Sequence, residues 1–174
     1  METLNHEKLL TTIRTATEEV FGMMLAIPAT ALPHSVEQGA TQPFDGVISL
    51  IGFAGGWTGA GRISCTATLA CRLSGALLAS EYASVNEDVL DAMAEITNMI
   101  IGNVKSNLED ELGPMGLSIP TVVFGRNYQA RSSGVREWVV APFDCDGEKL
   151  EIRVGLMPCG KTDAVKHFAM ADVE

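Results

Sequence analysis

The longest amphipathic pattern in the chain lies in residues 86–112, NEDVLDAMAEITNMIIGNVKSNLEDEL. With about 100° of rotation per residue, its apolar residues recur on one side of a helix. The members of this apolar side are Val89, Met93, Ile96, Ile100, Val104 and Leu108, with Leu90, Ala94, Thr97 and Ile101 beside them. The periodicity predicts one long helix that packs this side against a core.

The opposite side of this helix carries four residues spaced three or four apart, Asp91, Glu95, Asn98 and Gly102. Asn competes for backbone hydrogen bonds, and Gly in a helix interior costs about 1 kcal/mol relative to Ala, so stability alone disfavours both. A Gly one turn after an Asn lets a foreign backbone approach a carboxylate and a carboxamide. This side is therefore predicted to face outward and dock another molecule, and a solvated face with an incidental Gly is the alternative.

The composition is typical of one globular domain. The chain has 174 residues, a mass of 18.5 kDa and 47% hydrophobic residues, enough to bury a core. Its net charge of −10 and pI near 4.7 would repel phosphate backbones and anionic lipids, so neither nucleic acid nor a membrane is an expected partner. The sequence has no signal-peptide pattern at its start and no uncharged apolar stretch of about 18 residues. These features predict a cytoplasmic protein.

The cysteines and histidines form no pattern typical of a metal site or a nucleophilic enzyme. The four cysteines are scattered, at Cys65, Cys71, Cys145 and Cys159. The three histidines have no nucleophile spaced beside them, at His6, His34 and His167. We expect reduced, mainly structural thiols, surface histidines and no metal bound by this chain.

Two further helices are predicted. Residues 4–27 have a helical pattern that Pro28 ends, with apolar positions at Leu9, Ile13, Ala16, Val20, Met24 and Ile27. A second helix is expected at 67–82. We expect a single domain over residues 1–158 and a carboxyl-terminal tail over residues 159–174.

The strand signals form two hairpins. A connecting loop at 29–45 precedes β-rich segments at 46–53 and 60–65, which a Gly-rich turn joins. Alternating residues at 135–143 and 150–157 predict the second hairpin. Between the long helix and this hairpin, a short extended segment from residue 117 is followed by a polar connector up to residue 134.

The two halves of the chain resemble each other. Glu19-Val-Phe-Gly-Met-Met-Leu aligns with Glu95-Ile-Thr-Asn-Met-Ile-Ile, which places Gly22 where Asn98 stands. Each helix is followed by an Ile-Pro pair and later by a hairpin. The sequence therefore predicts an α+β fold in which two helix-plus-hairpin pseudo-repeats build one antiparallel sheet, with long helices packed on it. Chance agreement of a few residues is the alternative.

The same residues resemble the signature of the CheX/CheC/FliY chemotaxis phosphatases. The likeness rests on Asp91-x-x-x-Glu95-x-x-Asn98, on Asn98-Met-Ile-Ile-Gly102, and on Pro120-Thr-Val-Val after the helix end. It also includes Ile51-Gly-Phe-Ala-Gly-Gly ahead of Gly61, so that it spans roughly residues 47–157. In length and layout the chain is most similar to the CheX branch of the family, which implies a CheC/CheX-like fold.

The resemblance implies a protein aspartyl-phosphate phosphatase, a hydrolase that acts on a phosphorylated CheY-like response regulator in chemotaxis or related two-component signalling. Asn98 would orient the attacking water, Glu95 would pair with the receiver's lysine, and Asp91 and Gly102 would contact the partner. Because Glu19 is followed by Gly22, only one working Glu/Asn pair is expected. The resemblance also implies a homodimer and a Mg²⁺ ion supplied by the partner receiver rather than by this chain.

Two other functions fit the same residues. A non-catalytic binding module would use this helix face to recognise or sequester a phosphorylated receiver domain. A structural subunit of a larger assembly, as in relatives at the flagellar switch, would need neither catalysis nor a free partner.

Overall fold

The computed structural model of the protein describes residues 4–39, 42–131 and 134–160. The helices are α1 (His6–Val20), which continues as a π turn (Phe21–Leu25), α2 (Ala67–Leu78) and α3 (Glu87–Leu112). The strands are β1 (Thr30–Ala31), β2 (Ser35–Gln38), β3 (Phe44–Gly55), β4 (Trp57–Cys65), β5 (Met115–Leu117), β6 (Thr121–Tyr128), β7 (Glu137–Cys145) and β8 (Glu148–Pro158). Within these residues, no helix combines the length and apolar character needed to cross a membrane.

The strands form one antiparallel sheet, as predicted. Its order is β1-β7-β8-β4-β3-β5, with β2 also beside β7 and β6 also beside β3. The two hairpins, β3–β4 and β7–β8, join where β4 pairs with β8, and Arg62 lies opposite Arg153 at this junction. The α+β fold built from two helix-plus-hairpin units is confirmed.

Each half of the chain also lends a strand to the other half. β2 follows α1 but pairs with β7, and Ser35 lies opposite Val140. β6 follows α3 but pairs with β3, and Val47 lies opposite Phe124. The two hairpins are therefore each flanked by a strand that belongs to the other half.

The core lies between the sheet and the three helices. The predicted apolar side of α3 is buried there, with Val89, Met93, Ile100 and Val104 at 0% exposure. Asn86 begins α3, because its side chain accepts a hydrogen bond from the Val89 amide, 3.0 Å away. The long helix is confirmed with the boundaries that its sequence predicts.

The helices α1 and α3 run antiparallel beside each other. Lys8 near the start of α1 forms an ion pair with Glu111 near the end of α3. α2 packs on α3 and on the π turn, and the Ser74 hydroxyl donates to the Val89 carbonyl, 3.2 Å away. The π turn therefore lies at the same end of the helix layer as the start of α3.

The end of the first helix differs from its prediction. Met24 was placed in the core, but it is 53% exposed, whereas Leu25 is 4% exposed. The π turn shifts the register, because its hydrogen bonds span five residues rather than four, and Leu25 lies five residues after the buried Val20. Leu25 thus takes the core position that a regular helix would give to Met24.

The bounds of other elements also differ from those predicted. The second helix ends at Leu78 rather than at residue 82, because Ala79 adopts a left-handed conformation with φ of 51°. Only Gly56 lies between the two strands of the first hairpin, so both strands are longer than predicted. β6 extends to Tyr128 inside the predicted connector, and the Tyr128 hydroxyl donates to the Gly46 carbonyl across the strand pair. Residues 161–174 of the predicted tail lie outside the described residues.

Candidate functional site

The outward side of α3 presents the four residues singled out by sequence. Asp91, Glu95 and Asn98 are exposed and Gly102 is half-buried. A Cβ added at Gly102 would meet no heavy atom within 4 Å, so the space beside it is open. The prediction that these residues face outward together is confirmed.

The polar groups of this surface are free. Within the part of the chain that the structure describes, the side chains of Asp91, Glu95 and Asn98 have no hydrogen bond or ion pair. Two carboxylates can therefore accept, and one carboxamide can both donate and accept, without first breaking a contact in this protein. Such a surface can act only on a group that another molecule brings to it.

The opposite side of the helix holds these groups in place. Ile96 and Thr97, which lie between Glu95 and Asn98 in the chain, are 1% and 0% exposed. The Thr97 hydroxyl donates to the Met93 carbonyl, 2.7 Å away. Glu95 and Asn98 are thus carried by a backbone that is fixed by core packing. Groups on a rigid element are positioned more precisely than groups on a loop.

Gly61 lets α3 lie close to the sheet. A Cβ at this position would lie 3.0 Å from Ile101 Cδ1 and 3.2 Å from Ile51 Cγ2, both of which face the core. A larger residue at position 61 would press on Ile101 of α3. Gly61 therefore acts by positioning α3 and does not contribute to its outward side.

The first helix presents the equivalent positions without the carboxamide. Glu19 and Gly22 are both exposed, and a Cβ at Gly22 would meet nothing within 4 Å. Gly22 belongs to the π turn, whereas Asn98 lies within a regular α-helix. The structure therefore brings together one Glu/Asn pair, on α3.

Cavities lie elsewhere in the molecule. One of about 510 Å³ is lined by residues from the start of α1 and from strands including β7 and β8, and one of about 630 Å³ lies over the end of α2. Neither is lined by Asp91, Glu95 or Asn98. Among the described residues, no group of three His, Cys, Asp or Glu side chains could hold a metal ion. The outward side of α3 therefore belongs to neither of these two cavities.

The family model described as Chemotaxis phosphatase CheX matches residues 47–144, which is more than half of the chain and includes α3. The chain belongs to this family. Among curated proteins it is 30% identical over 105 residues to a protein named CheY-P phosphatase CheX from Thermotoga maritima. That match covers 60% of this chain and spans only 61% of the length of the relative.

Solved structures share the fold. A CheC-like superfamily protein from Shewanella sp. PV-4 has a TM-score of 0.76 at 22% identity, covering 88% of this chain and 99% of that chain. A chain in the CheX-CheY-BeF3-Mg²⁺ complex from Borrelia burgdorferi has a TM-score of 0.74 at 19% identity, covering 88% of this chain and 99% of that chain. The α+β architecture is therefore that of CheX and CheC-like proteins.

Proposed function

We propose that the protein is a phosphatase that hydrolyses the aspartyl phosphate of a CheY-type receiver domain. The observation that carries this proposal is an unpaired Glu95/Asn98 couple, exposed one turn apart on a rigid helix. Family membership supports it, as does the name of the Thermotoga relative, CheY-P phosphatase. The Borrelia structure, in which CheX is bound to CheY, supports a receiver domain as the partner.

The chemistry needs little from this chain. In an aspartyl phosphate, water attacks phosphorus, the bond from phosphorus to the carboxylate oxygen breaks, and phosphate and the free aspartate leave. Because the carboxylate is a good leaving group, positioning of the water contributes most of the rate that a partner protein can add. The Asn98 carboxamide accepts a hydrogen bond from that water and holds it in line with the bond that breaks. Asn98 is therefore the catalytic residue.

The other residues of the surface serve docking. Glu95 pairs with the lysine of the receiver site, which fixes the position of Asn98 relative to the phosphorus atom. Asp91 adds negative charge one turn earlier, and the open space beside Gly102 admits a loop of the partner. A Mg²⁺ ion would be carried by the receiver, which is supported by the Borrelia complex of CheX, CheY, BeF3 and Mg²⁺ and by the lack of three grouped His, Cys, Asp or Glu ligands among the described residues. When bound there, the ion neutralises charge on the phosphoryl oxygens.

The test compares three alanine variants with a receiver domain phosphorylated by acetyl phosphate. Asn98→Ala should lower kcat for phosphate release by at least about 100-fold, as loss of a transition-state hydrogen bond does, while the Kd for the receiver with beryllofluoride and Mg²⁺ stays near that of wild type. Glu95→Ala should weaken both binding and turnover. Asn107→Ala is the matched control, because Asn107 is an exposed carboxamide on the same helix.

The outcomes separate the alternatives. Unchanged turnover in Asn98→Ala would refute the catalytic assignment. Binding of the receiver without any acceleration by the wild-type protein would identify a non-catalytic module that recognises or sequesters the phosphorylated partner.

We also infer a homodimer formed along β6. Within the described residues, β6 pairs only with β3, and its exposed side chains include Val123 at 40% and Phe124 at 49%. An unpaired edge with apolar side chains is suited to pair with a second copy across a two-fold axis. Light scattering should give twice the 18.5 kDa mass of the chain, and Val123→Lys should give the monomer.

A further inference from the structure

The π turn at the end of α1 exposes two methionines. Met23 is 83% exposed and Met24 is 53% exposed, although a buried methionine side chain contributes roughly 1.5–3 kcal/mol to stability. Among the described helical residues, Leu78 is the one other large apolar side chain with such exposure, at 46%. These methionines therefore contribute little to the core.

The same segment contains other features that stability alone disfavours. Gly22 lies inside the helical segment, where Ala would be preferred, and the space for a Cβ is open. Ala26, which ends the turn, adopts a left-handed conformation with φ of 51° that costs a non-glycine residue about 1 kcal/mol. Single π turns are frequent at functional sites. The segment has the composition of a contact surface rather than of a helix end chosen for stability.

This segment lies at the level of Asn98. Starting from the ion pair between Lys8 and Glu111, Gly22 is 14 residues along α1 and Asn98 is 13 residues back along α3. At about 1.5 Å per residue, both lie roughly 20 Å from that ion pair. Because the helices are neighbours and both sets of residues are exposed, the methionines and the Glu95/Asn98 pair belong to one outward surface.

The charge of this surface has one sign. Exposed carboxylates flank it on both helices, at Glu18, Glu19, Asp91 and Glu95. Residues 15–25 and 87–104 contain no Lys, Arg or His. The complementary partner surface has a cationic side chain, which pairs with the carboxylates, and an apolar side chain, which contacts the methionines.

We propose that Met23 and Met24 form the apolar half of the docking surface for the phosphorylated receiver domain. This inference rests on the proposed function and adds a binding segment outside α3. Methionine suits such a role, because its flexible and polarisable side chain adapts to the partner. The two helices thus have different roles: α3 carries the carboxamide that acts in catalysis, and the end of α1 contributes to the affinity for the receiver.

The experiment uses the full chain with Met23→Gln and Met24→Gln combined, and Val36→Gln as the control. Val36 is an apolar residue of β2 that is 44% exposed and lies opposite Val139. Val139 lines the same cavity as residues at the start of α1, so Val36 lies at the other end of that helix from the π turn. The probe is a CheY-type receiver from the same organism, charged with beryllofluoride and Mg²⁺ for binding and with acetyl phosphate for turnover. The double variant should raise Kd and KM about tenfold and leave kcat unchanged, whereas the control changes none of these values.

Each outcome is decisive. If Kd and KM of the double variant equal those of wild type while Asn98→Ala is inactive, the inference fails and the proposed function stands. If the wild-type protein binds receivers but does not hydrolyse them, the phosphatase proposal fails and the change in Kd still decides the role of the methionines. If it binds no receiver, both fail.

Discussion

The helices α1 and α3 share a sequence pattern but differ at the positions of the proposed catalytic pair. Both present a glutamate on an outward face, Glu19 and Glu95, and both bury the opposite side. Three residues later, α3 has Asn98 within a regular helix, whereas α1 has Gly22 within a π turn. The comparison teaches that a repeated scaffold can be kept while the side chain and the helix geometry at one position change together.

The difference is testable by adding the missing carboxamide. We expect Gly22→Asn to leave an Asn98→Ala protein at least about 100-fold below wild-type kcat. Residue 22 lies in the π turn, where i→i+5 bonding replaces the α-helical bonding that sets the spacing of Glu95 and Asn98, so we do not expect it to act as a pair with Glu19. Phosphate release from a phosphorylated receiver is the measurement.

The matched control is Gly22→Asn in the wild-type background, which should keep the wild-type kcat at saturating receiver because Asn98 is intact and a Cβ at Gly22 meets nothing within 4 Å. Recovery of hydrolysis in the double variant would mean that the loss of the carboxamide, and not the π turn, is the sole difference between the two helices.

A second comparison lies within the π turn itself. Leu25→Ala should lower the free energy of unfolding by about 3 kcal/mol, because a core leucine is lost. Met24→Ala should change it by no more than about 0.5 kcal/mol, as expected for a surface residue. Urea denaturation of the two variants measures both values. A larger loss for Met24→Ala would mean that the regular helical register predicted from the sequence is correct.

The two halves also differ at the equivalent arginines of β4 and β8. Arg153 Nε lies 2.6 Å from Glu151 Oε1, and its Nη1 lies 2.7 Å from Glu37 Oε2. Arg62 is 4% exposed and, within the described residues, has no ion pair within 4 Å, while its Nε has no hydrogen-bond partner. Burial, and then the charge of Arg153, lower the pKa of Arg62. Arg153 therefore has two direct ion pairs, whereas Arg62 has the more distant charge of Glu151 to compensate it.

Replacing these two arginines by methionine should have different effects on stability. Arg153→Met should destabilise the protein by about 2 kcal/mol because Glu151 loses its main partner, whereas Arg62→Met should be neutral or stabilising. Thermal unfolding of both variants at neutral pH is the measurement. An equal and large loss in Arg62→Met would show that its charge has a compensating partner.

The smallest expected effect is on the loss of stability at low pH. Burial raises the pKa of Glu151, but hydrogen bonds from Arg153 and Lys149 outweigh it and hold that pKa below its usual value. A carboxylate with a depressed folded-state pKa stabilises the fold above its unfolded-state pKa, and this contribution is lost as pH falls through the folded-state pKa. Glu151→Gln should therefore lose less stability than wild type between about pH 5 and pH 3. Urea unfolding at several pH values measures this loss. If the free energy of unfolding of Glu151→Gln falls with pH as steeply as that of wild type, the assignment is contradicted.

The sequence predicted the parts of the fold that local periodicity determines. α3 has a single apolar side and the cap Asn86, so its boundaries and the exposure of Asn98 followed directly. The π turn was missed because Met23, Met24 and Leu25 are consecutive apolar residues, and periodicity alone does not select which of them faces the core. The early end of α2 depends on a left-handed Ala79, a conformation for which an alanine is no signal.

The pairing of β2 and β6 could not be predicted either. Both are largely exposed, so neither has the alternation that identifies a strand, and their partners are distant in the chain. For the candidate site, sequence reasoning found the residues of α3, but the nearness of the π turn depends on how α1 and α3 pack. The catalytic role of Asn98 stays a prediction.

The exchange of β2 and β6 between the halves makes the duplicated units inseparable. A protein cut in the loop between α2 and α3 would give two fragments, each lacking the strand that flanks its own hairpin. We expect neither fragment to be stable alone and the mixture to reassemble. Global unfolding breaks strand pairing in both halves at once, so the two halves unfold as one cooperative unit. The half that contains α1 has no carboxamide at the equivalent position, but it cannot be removed without unfolding the half that contains Asn98.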